Sequence, residues 1–444
     1  MSTANFRCEK HVVPCQHIRG YPRSLAGKQE EVLHLEIKQY TPLDNLSPQP
    51  GDVTIIGAHS SAFPKELYEP LWDDLLQVSK QGNGLRIRNI WFADVAHQGA
   101  SGIMNEDKTG NDPSWFDHAR DLLLMVNHFR DQMLRPIVGI GHSMGGNQMI
   151  NLALLHPRLL TTVIAIEPTI NRSAKEMQNT FNTFYGLALK KDIWESREKA
   201  IAEAGRNPLF KRWDERAFRL WGKHALRDLP TSLYDGKIET GTRPVTLTTT
   251  KHNEIFTFAR AAYPPDKRPL TELKPTGLSH PDLGSGDARN YTNAFYRPES
   301  PLTFMQLPYL RPTCLYIHGS NSLMAGAKPQ GRADKLEVTG TGIGGSGGVA
   351  AGAVADVIVE KCGHFLTFEK PAEIAVHVGR WLTQELKRWR EDEQRTQDLW
   401  ERTDSRSKRT IDDDRLFWMK RQFEARKRPN PDVNKGLSQP TSKL

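Results

Sequence analysis

Residues 137 to 146 read Ile-Val-Gly-Ile-Gly-His-Ser-Met-Gly-Gly. An apolar, strand-like run leads into Gly141-x-Ser143-x-Gly145, and the helix-like stretch Asn147 to Leu155 follows. A serine held on a sharp strand-to-helix turn needs small residues two positions away on each side, because the backbone is strained there and its flanks pack closely. Ser143 therefore reads as a nucleophile displayed at a helix N-terminus. A serine hydroxyl attacks a carbonyl only when a base takes its proton. Cys362-Gly363-His364 supplies that base, a turn glycine and then a histidine on the loop between a late strand and a helix. His142, beside the nucleophile, reads as packing, and His59 and His97 lie on early loops. An imidazole acting as base needs a carboxylate to fix its tautomer. Glu167, closing the strand Val163 to Ile166, is favoured for this, with Asp334 or no acid at all as alternatives. The developing oxyanion needs two N–H donors. The Met144 amide is one, and the loop Ile55-Ile-Gly-Ala-His-Ser-Ser61-Ala-Phe-Pro64 offers the second, most readily at Ser61, with Ser60 nearly as good.

The elements that must position these groups are legible as periodicity. Strand-like runs occur at Val32 to Tyr40, Val53 to Gly57, Ile87 to Ala93, Ile137 to Gly141, Thr162 to Glu167, Thr313 to Ile317 and Ala355 to Glu360. Longer segments separate them, which predicts an α/β fold with a mostly parallel sheet and crossover helices. From Pro168 to about Pro301 the strand rhythm stops, and Trp, Arg, Lys, Glu and Ala dominate. Residues 168–301 are thus expected to form a helical cap inserted between 30–167 and 302–385, with 1–29 as an N-terminal extension. The run Gly340 to Gly348 contains a formal GxGxxG, but no strand feeds it and no helix follows, so it reads as a flexible glycine loop. Residues 386–444 read as a charged helical tail.

Composition narrows the class. The 444 residues carry a formal charge of +8, and 38% are hydrophobic, so the chain is globular and not a disordered polymer. From Gln384 to Leu444 there are 16 Lys and Arg against 12 Asp and Glu, alternating in sign. That is a solvated helix face and not a phosphate-binding stripe, so no nucleic-acid partner is expected. Four cysteines without tight pairing read as reduced thiols, and no cluster has metal-ligand spacing, so neither metal nor cofactor is called for. Met1 to Gly20 has no apolar core of a secretory signal, and no window is long and apolar enough to span a membrane.

The order of strand, nucleophile turn, cap and Gly-His resembles the α/β-hydrolase superfamily over residues 30 to 385. The segments Phe63 to Trp72, Asp94 to Gly99 and Gly141 to Gly146 are similar, more narrowly, to the fungal peroxisomal hydrolases. That group includes the yeast peroxisomal lipase and hydrolases of host-selective, AK-toxin-type toxin biosynthesis. In this superfamily the acid usually follows the strand Thr313 to Ile317, but that loop here reads Gly319-Ser-Asn-Ser322, with serine in the acid's place. Some hydrolases of this fold carry the acid at the position of Glu167 instead. The resemblance implies a serine hydrolase of acyl esters or thioesters, in fatty-acid-like or toxin secondary metabolism. Acyl transfer through the same acyl-serine, or a non-catalytic binding protein on the hydrolase scaffold, are the alternatives. The final Ser442-Lys443-Leu444 matches the address read by the peroxisomal import receptor, which predicts the peroxisomal matrix.

Overall fold

β-branched and aromatic runs suit strands buried on both faces, and such strands need crossover helices to return the chain in parallel. In the structure, a computed structural model, the described residues are 4–82, 84–172, 181–235, 242–263, 267, 282, 294–322 and 329–427. Ser442, Lys443 and Leu444 lie outside them. Eight strands form the main sheet: β1 (Phe6–Pro14), β2 (His34–Pro42), β3 (Val53–Ala58), β4 (Ile87–Ala93), β5 (Ile137–His142), β6 (Thr162–Ile166), β7 (Thr313–Gly319) and β8 (Val354–Val359). Their spatial order is β1-β2-β4-β3-β5-β6-β7-β8. β2 runs antiparallel to β1 and β4, and the remaining neighbours are parallel. This is the fold class expected. β1 was not foreseen; only Phe6 and Val13 of it are buried, so this edge strand carries almost no hydrophobic alternation.

Neighbouring strand residues point to opposite faces, and two separate cores result. Ile55, Ile140 and Ile164 pack with Leu71, Leu75 and Val378, so helix Glu69–Ser79 and the part of helix Pro371–Arg402 up to Leu386 cover one face. Ile56, Ile137 and Val163 pack with Met125 and Leu152, so helices Trp115–His128 and Met144–Leu155 cover the other.

Between β6 and β7 the described residues form helices that include Arg197–Ala204, Glu215–His224 and Lys251–Phe258. Short strands interrupt them: Ile193–Trp194, Val245–Leu247 and Leu226–Asp228 make a small antiparallel sheet, and Arg260–Ala261 pairs with Phe295–Tyr296. Segments of two or three residues are too short to show a period. The glycine run 340–348 is tied by backbone hydrogen bonds to Leu307, Pro308 and Leu310, so it is a pinned loop and not a free one. The chain divides into two units, Met1–Lys387 and Arg388–Leu444. In the second, Asp412 caps helix Asp413–Lys427 by accepting from the Arg415 amide at 2.7 Å. Among the described residues no helix is long and apolar enough to cross a membrane.

Candidate active site

Parallel strands of one sheet deliver their following loops to the same edge, and that edge is where open α/β sheets bind ligands. Here the loops after β3, β5, β6, β7 and β8 meet there. Ser143 follows β5 with φ 57° and ψ −117°, a conformation that non-glycine residues rarely take. The flanking glycines show why it survives. A Cβ on Gly141 would lie 2.2 Å from the Gly145 carbonyl oxygen, and one on Gly145 would lie 2.2 Å from the Ala58 oxygen. The turn is thereby pressed against the end of β3.

His364, on the loop after β8, brings Nε2 to 2.9 Å from Ser143 Oγ, while its Nδ1 lies 3.1 Å from Glu167 Oε2. A carboxylate accepts only, so Nδ1 carries the proton and Nε2 is free to accept from the serine. Glu167, fully buried after β6, also accepts from the Gly319 amide at 2.8 Å and from the Ser322 hydroxyl at 2.5 Å. Burial alone would raise its pKa, but the adjacent His318 and His364 rings outweigh burial and hold the carboxylate below its usual range. Asp334 stands elsewhere, bonded to Gln330 and near Arg172. Ser322, in the position where an acid was awaited, serves the carboxylate of Glu167 instead.

Two further networks frame Ser143. Tyr68 Oη accepts the Ser60 amide at 2.8 Å and lies 2.8 Å from His142 Nδ1. His142 Nε2 lies 2.8 Å from the His364 carbonyl oxygen, an acceptor, so Nε2 bears the proton and Nδ1 accepts from Tyr68. Burial, with the His364 ring beside it, pushes the His142 pKa down to about 3 and keeps the ring neutral. His142 therefore links two loops of the site, beyond the packing expected of it.

On the other side, Gln98 Oε1 accepts the Ala62 amide at 2.8 Å, and Gln98 Nε2 donates to Ser61 Oγ at 3.1 Å. With the Ser60 and Ala62 amides both engaged, the Ser61 N–H is left without an acceptor among the described residues. Met144 is the first residue of its helix, so its N–H also lies outside the helical ladder. Ala62 (φ 73°), Ser143 (φ 57°) and Glu167 (φ 47°) all hold left-handed backbone, each at a cost of about 1–3 kcal/mol. Strain gathered at one edge of the sheet marks a functional site.

Tyr68, Gln98 and Thr257 went unnoticed in the sequence. Their hydrogen bonds span long stretches of chain that local spacing does not reveal, although Tyr68 and Gln98 fall within the two segments, Phe63 to Trp72 and Asp94 to Gly99, that resemble the fungal hydrolases.

Comparison with known proteins agrees with this architecture. The family described as "Alpha/beta hydrolase family" matches residues 55–377. A "Type I acyl-CoA thioesterase mpaH'" of Penicillium brevicompactum is 42% identical over 410 residues, 88% of this chain and 91% of that protein. An abhydrolase domain-containing protein, ACTT2-1, of Alternaria alternata is 26% identical over 251 residues, 56% of this chain and 84% of that one. Among solved structures, the peroxisomal alpha-beta-hydrolase Lpx1 of Saccharomyces cerevisiae aligns with a TM-score of 0.62 at 16% identity, covering 98% of this chain and 99% of its own, which speaks to fold alone. Sheet order, family match and thioesterase-named relatives agree: the chain belongs to the alpha/beta hydrolase family and is a hydrolase.

Proposed function

We propose that this hydrolase cleaves acyl thioesters of the acyl-CoA class through an acyl-Ser143 intermediate. His364 Nε2 takes the hydroxyl proton as Ser143 Oγ attacks the thioester carbonyl carbon. The carbonyl oxygen becomes an oxyanion held by the Met144 and Ser61 amides. The C–S bond then breaks, and the thiol leaves with the proton from His364. Water attacks the acyl-serine with His364 again as base, releasing the carboxylic acid and restoring Ser143. Glu167 fixes the imidazole and faces the imidazolium without taking its proton, as its depressed pKa requires.

The hydrogen-bonded chain from Ser143 through His364 to Glu167 carries this reading. The thioesterase name of a relative 42% identical over most of both chains supports thioester over oxygen ester. The Ser442-Lys443-Leu444 sequence supports import into the peroxisomal matrix through the import receptor. Fungal secondary metabolism, including the making of toxin-like acids, is the setting that the motif resemblance supports.

Intact-mass analysis after treatment with a fluorophosphonate, run beside Ser143→Ala and His364→Ala, tests the nucleophile. A single adduct on the native chain, absent from the serine variant, is expected, together with release of free CoA from an acyl-CoA panel. A well-folded native chain that takes no adduct overturns the reading.

A further inference from the structure

The cap meets the core at an unexpected place. Thr257, fully buried in cap helix Lys251–Phe258, donates its hydroxyl proton to the Asn253 carbonyl at 2.7 Å. Its oxygen then has only lone pairs to offer, and two donors from the loop after β4 use them: Gln98 Nε2 at 2.8 Å and His97 Nε2 at 2.9 Å. The Gln98 amide is thereby fully committed, with one N–H to Thr257, one to Ser61 Oγ, and its oxygen to the Ala62 amide. It grips the oxyanion loop at the Ser61 side chain and at the Ala62 amide, and holds Ala62 in its left-handed conformation. The next cap residue, Phe258, packs on the cluster of Val95, Trp115 and Met144, which contains the other donor. The Trp115 indole N–H donates to the Thr257 carbonyl at 2.7 Å, and the Gly99 amide donates to Thr249 Oγ1 at 2.9 Å. Neighbouring cap residues thus reach both oxyanion donors.

We infer that the oxyanion hole is completed by docking of the cap, with Gln98 and Thr257 as positioning residues that transmit it. The inference rests on Ser61 and Met144 being the oxyanion donors. A core-only hole would hold its geometry whatever the cap did. Here the loop that carries one donor is fixed through a glutamine whose second anchor belongs to the cap, so the position of that donor depends on the cap contact.

The test is a double-mutant cycle in the full chain with Thr257→Val and Gln98→Leu, read as kcat and KM on one acyl-CoA and as affinity for a boronic acid analogue of the tetrahedral intermediate. Loss of one oxyanion donor outright costs about 100- to 1000-fold in rate, so a misplaced donor is expected to cost about 10- to 100-fold in kcat with KM within about twofold. The boronate should weaken in parallel, and the double variant should lose no more than the worse single one, because both act on one route. Thr257→Ser, which keeps the oxygen, should recover most of kcat. Unchanged kcat in Thr257→Val, equal losses in Thr257→Val and Thr257→Ser, or losses that add in the double variant each overturn the inference. If Gln98→Leu does not fold, the valine and serine variants at 257 decide it alone. Fluorophosphonate labelling separates the two claims: a native chain that labels while the cycle fails leaves Ser143 as nucleophile and removes only the coupling.

Discussion

The proposed base, His364, and the proposed oxyanion donor, Ser61, take their hydrogen-bonded support from different sets of residues. His364 itself is bonded by core residues, Glu167 after β6 at its ring and His142 at the end of β5 at its carbonyl, while its neighbour Phe365 packs on Trp213 from the segment between β6 and β7. Ser61 is gripped from the core by Tyr68, through the Ser60 amide, and from the cap by Thr257, through Gln98. The hydrogen bonds to His364 thus come from the core, whereas those that steady the Ser60–Ala62 loop come from the core and, through Gln98, from helix Lys251–Phe258.

The sharpest way to break the contrast is at the base side. Ser143→Ala and His364→Ala should each lower kcat on the order of 10⁶-fold, with the cap contacts untouched. Next comes Glu167→Ala, expected to cost on the order of 10⁴-fold by freeing the imidazole tautomer. Ser322 Oγ and His364 Nδ1 meet the same Glu167 oxygen, so the space around the ring is reachable from the loop after β7 as well. Introducing Ser322→Asp into Glu167→Ala should therefore return at least about tenfold of the lost rate, because a carboxylate from either loop can hold Nδ1–H. Steady-state hydrolysis of one acyl-CoA by Glu167→Ala and by the double variant checks this, and a double variant no better than Glu167→Ala would refute the equivalence of the two loops. The Thr257 and Gln98 losses fall below these, as expected of groups that act through another residue.

How much of this was legible follows the same division. Glycine spacing around Ser143 and the Gly-His before a helix are local patterns, and the parallel strands declare themselves as apolar runs because they are buried on both faces. Glu167 was placed by its position at a strand end, and its partner Ser322 looked like a defect until the structure put the two side chains in contact. Edge strand β1 and the short cap strands left no period to read. Gln98 and Thr257 are 159 residues apart, and Tyr68 and His142 are 74 apart. Such bonds depend on how the loops are brought together, which spacing along one chain does not encode.

Tyr68→Phe should act more mildly and on both sides at once. It leaves the buried Ser60 N–H without its acceptor, while His142 Nδ1 keeps Thr367 Oγ1 at 3.1 Å, an imbalance of about 1–3 kcal/mol in stability. The expected loss in kcat is about tenfold or less, because the Gln98 grip on the same loop remains. Chemical denaturation and kcat measured on the same preparation separate the two effects. A full-stability variant with native kcat would show that the cap alone holds the oxyanion loop, which would sharpen the contrast between the two sides.

The smallest effect at neutral pH, and one that grows in acid, comes from the buried histidines on either side. Burial depresses His97 and His142 from 6.5 to about 3, so both are neutral in the folded chain while the unfolded chain binds protons below pH 6.5. The unfolded state then holds more protons, and stability must fall as pH falls. Their contribution is fully present above pH 6.5, is lost between about 6.5 and 3, and is exhausted below about 3. Well inside that window each histidine removes about 1.4 kcal/mol per pH unit. Glu167, whose folded pKa is also depressed, adds its loss only below the ordinary carboxylate value of 4.5. Denaturant unfolding at pH 7.5, 6.5 and 5.5 should thus show little change over the first step and a clear drop over the second. His142→Gln should shed one histidine's share of that slope, and a slope unchanged by the substitution would mean that His142 is protonated in the folded chain.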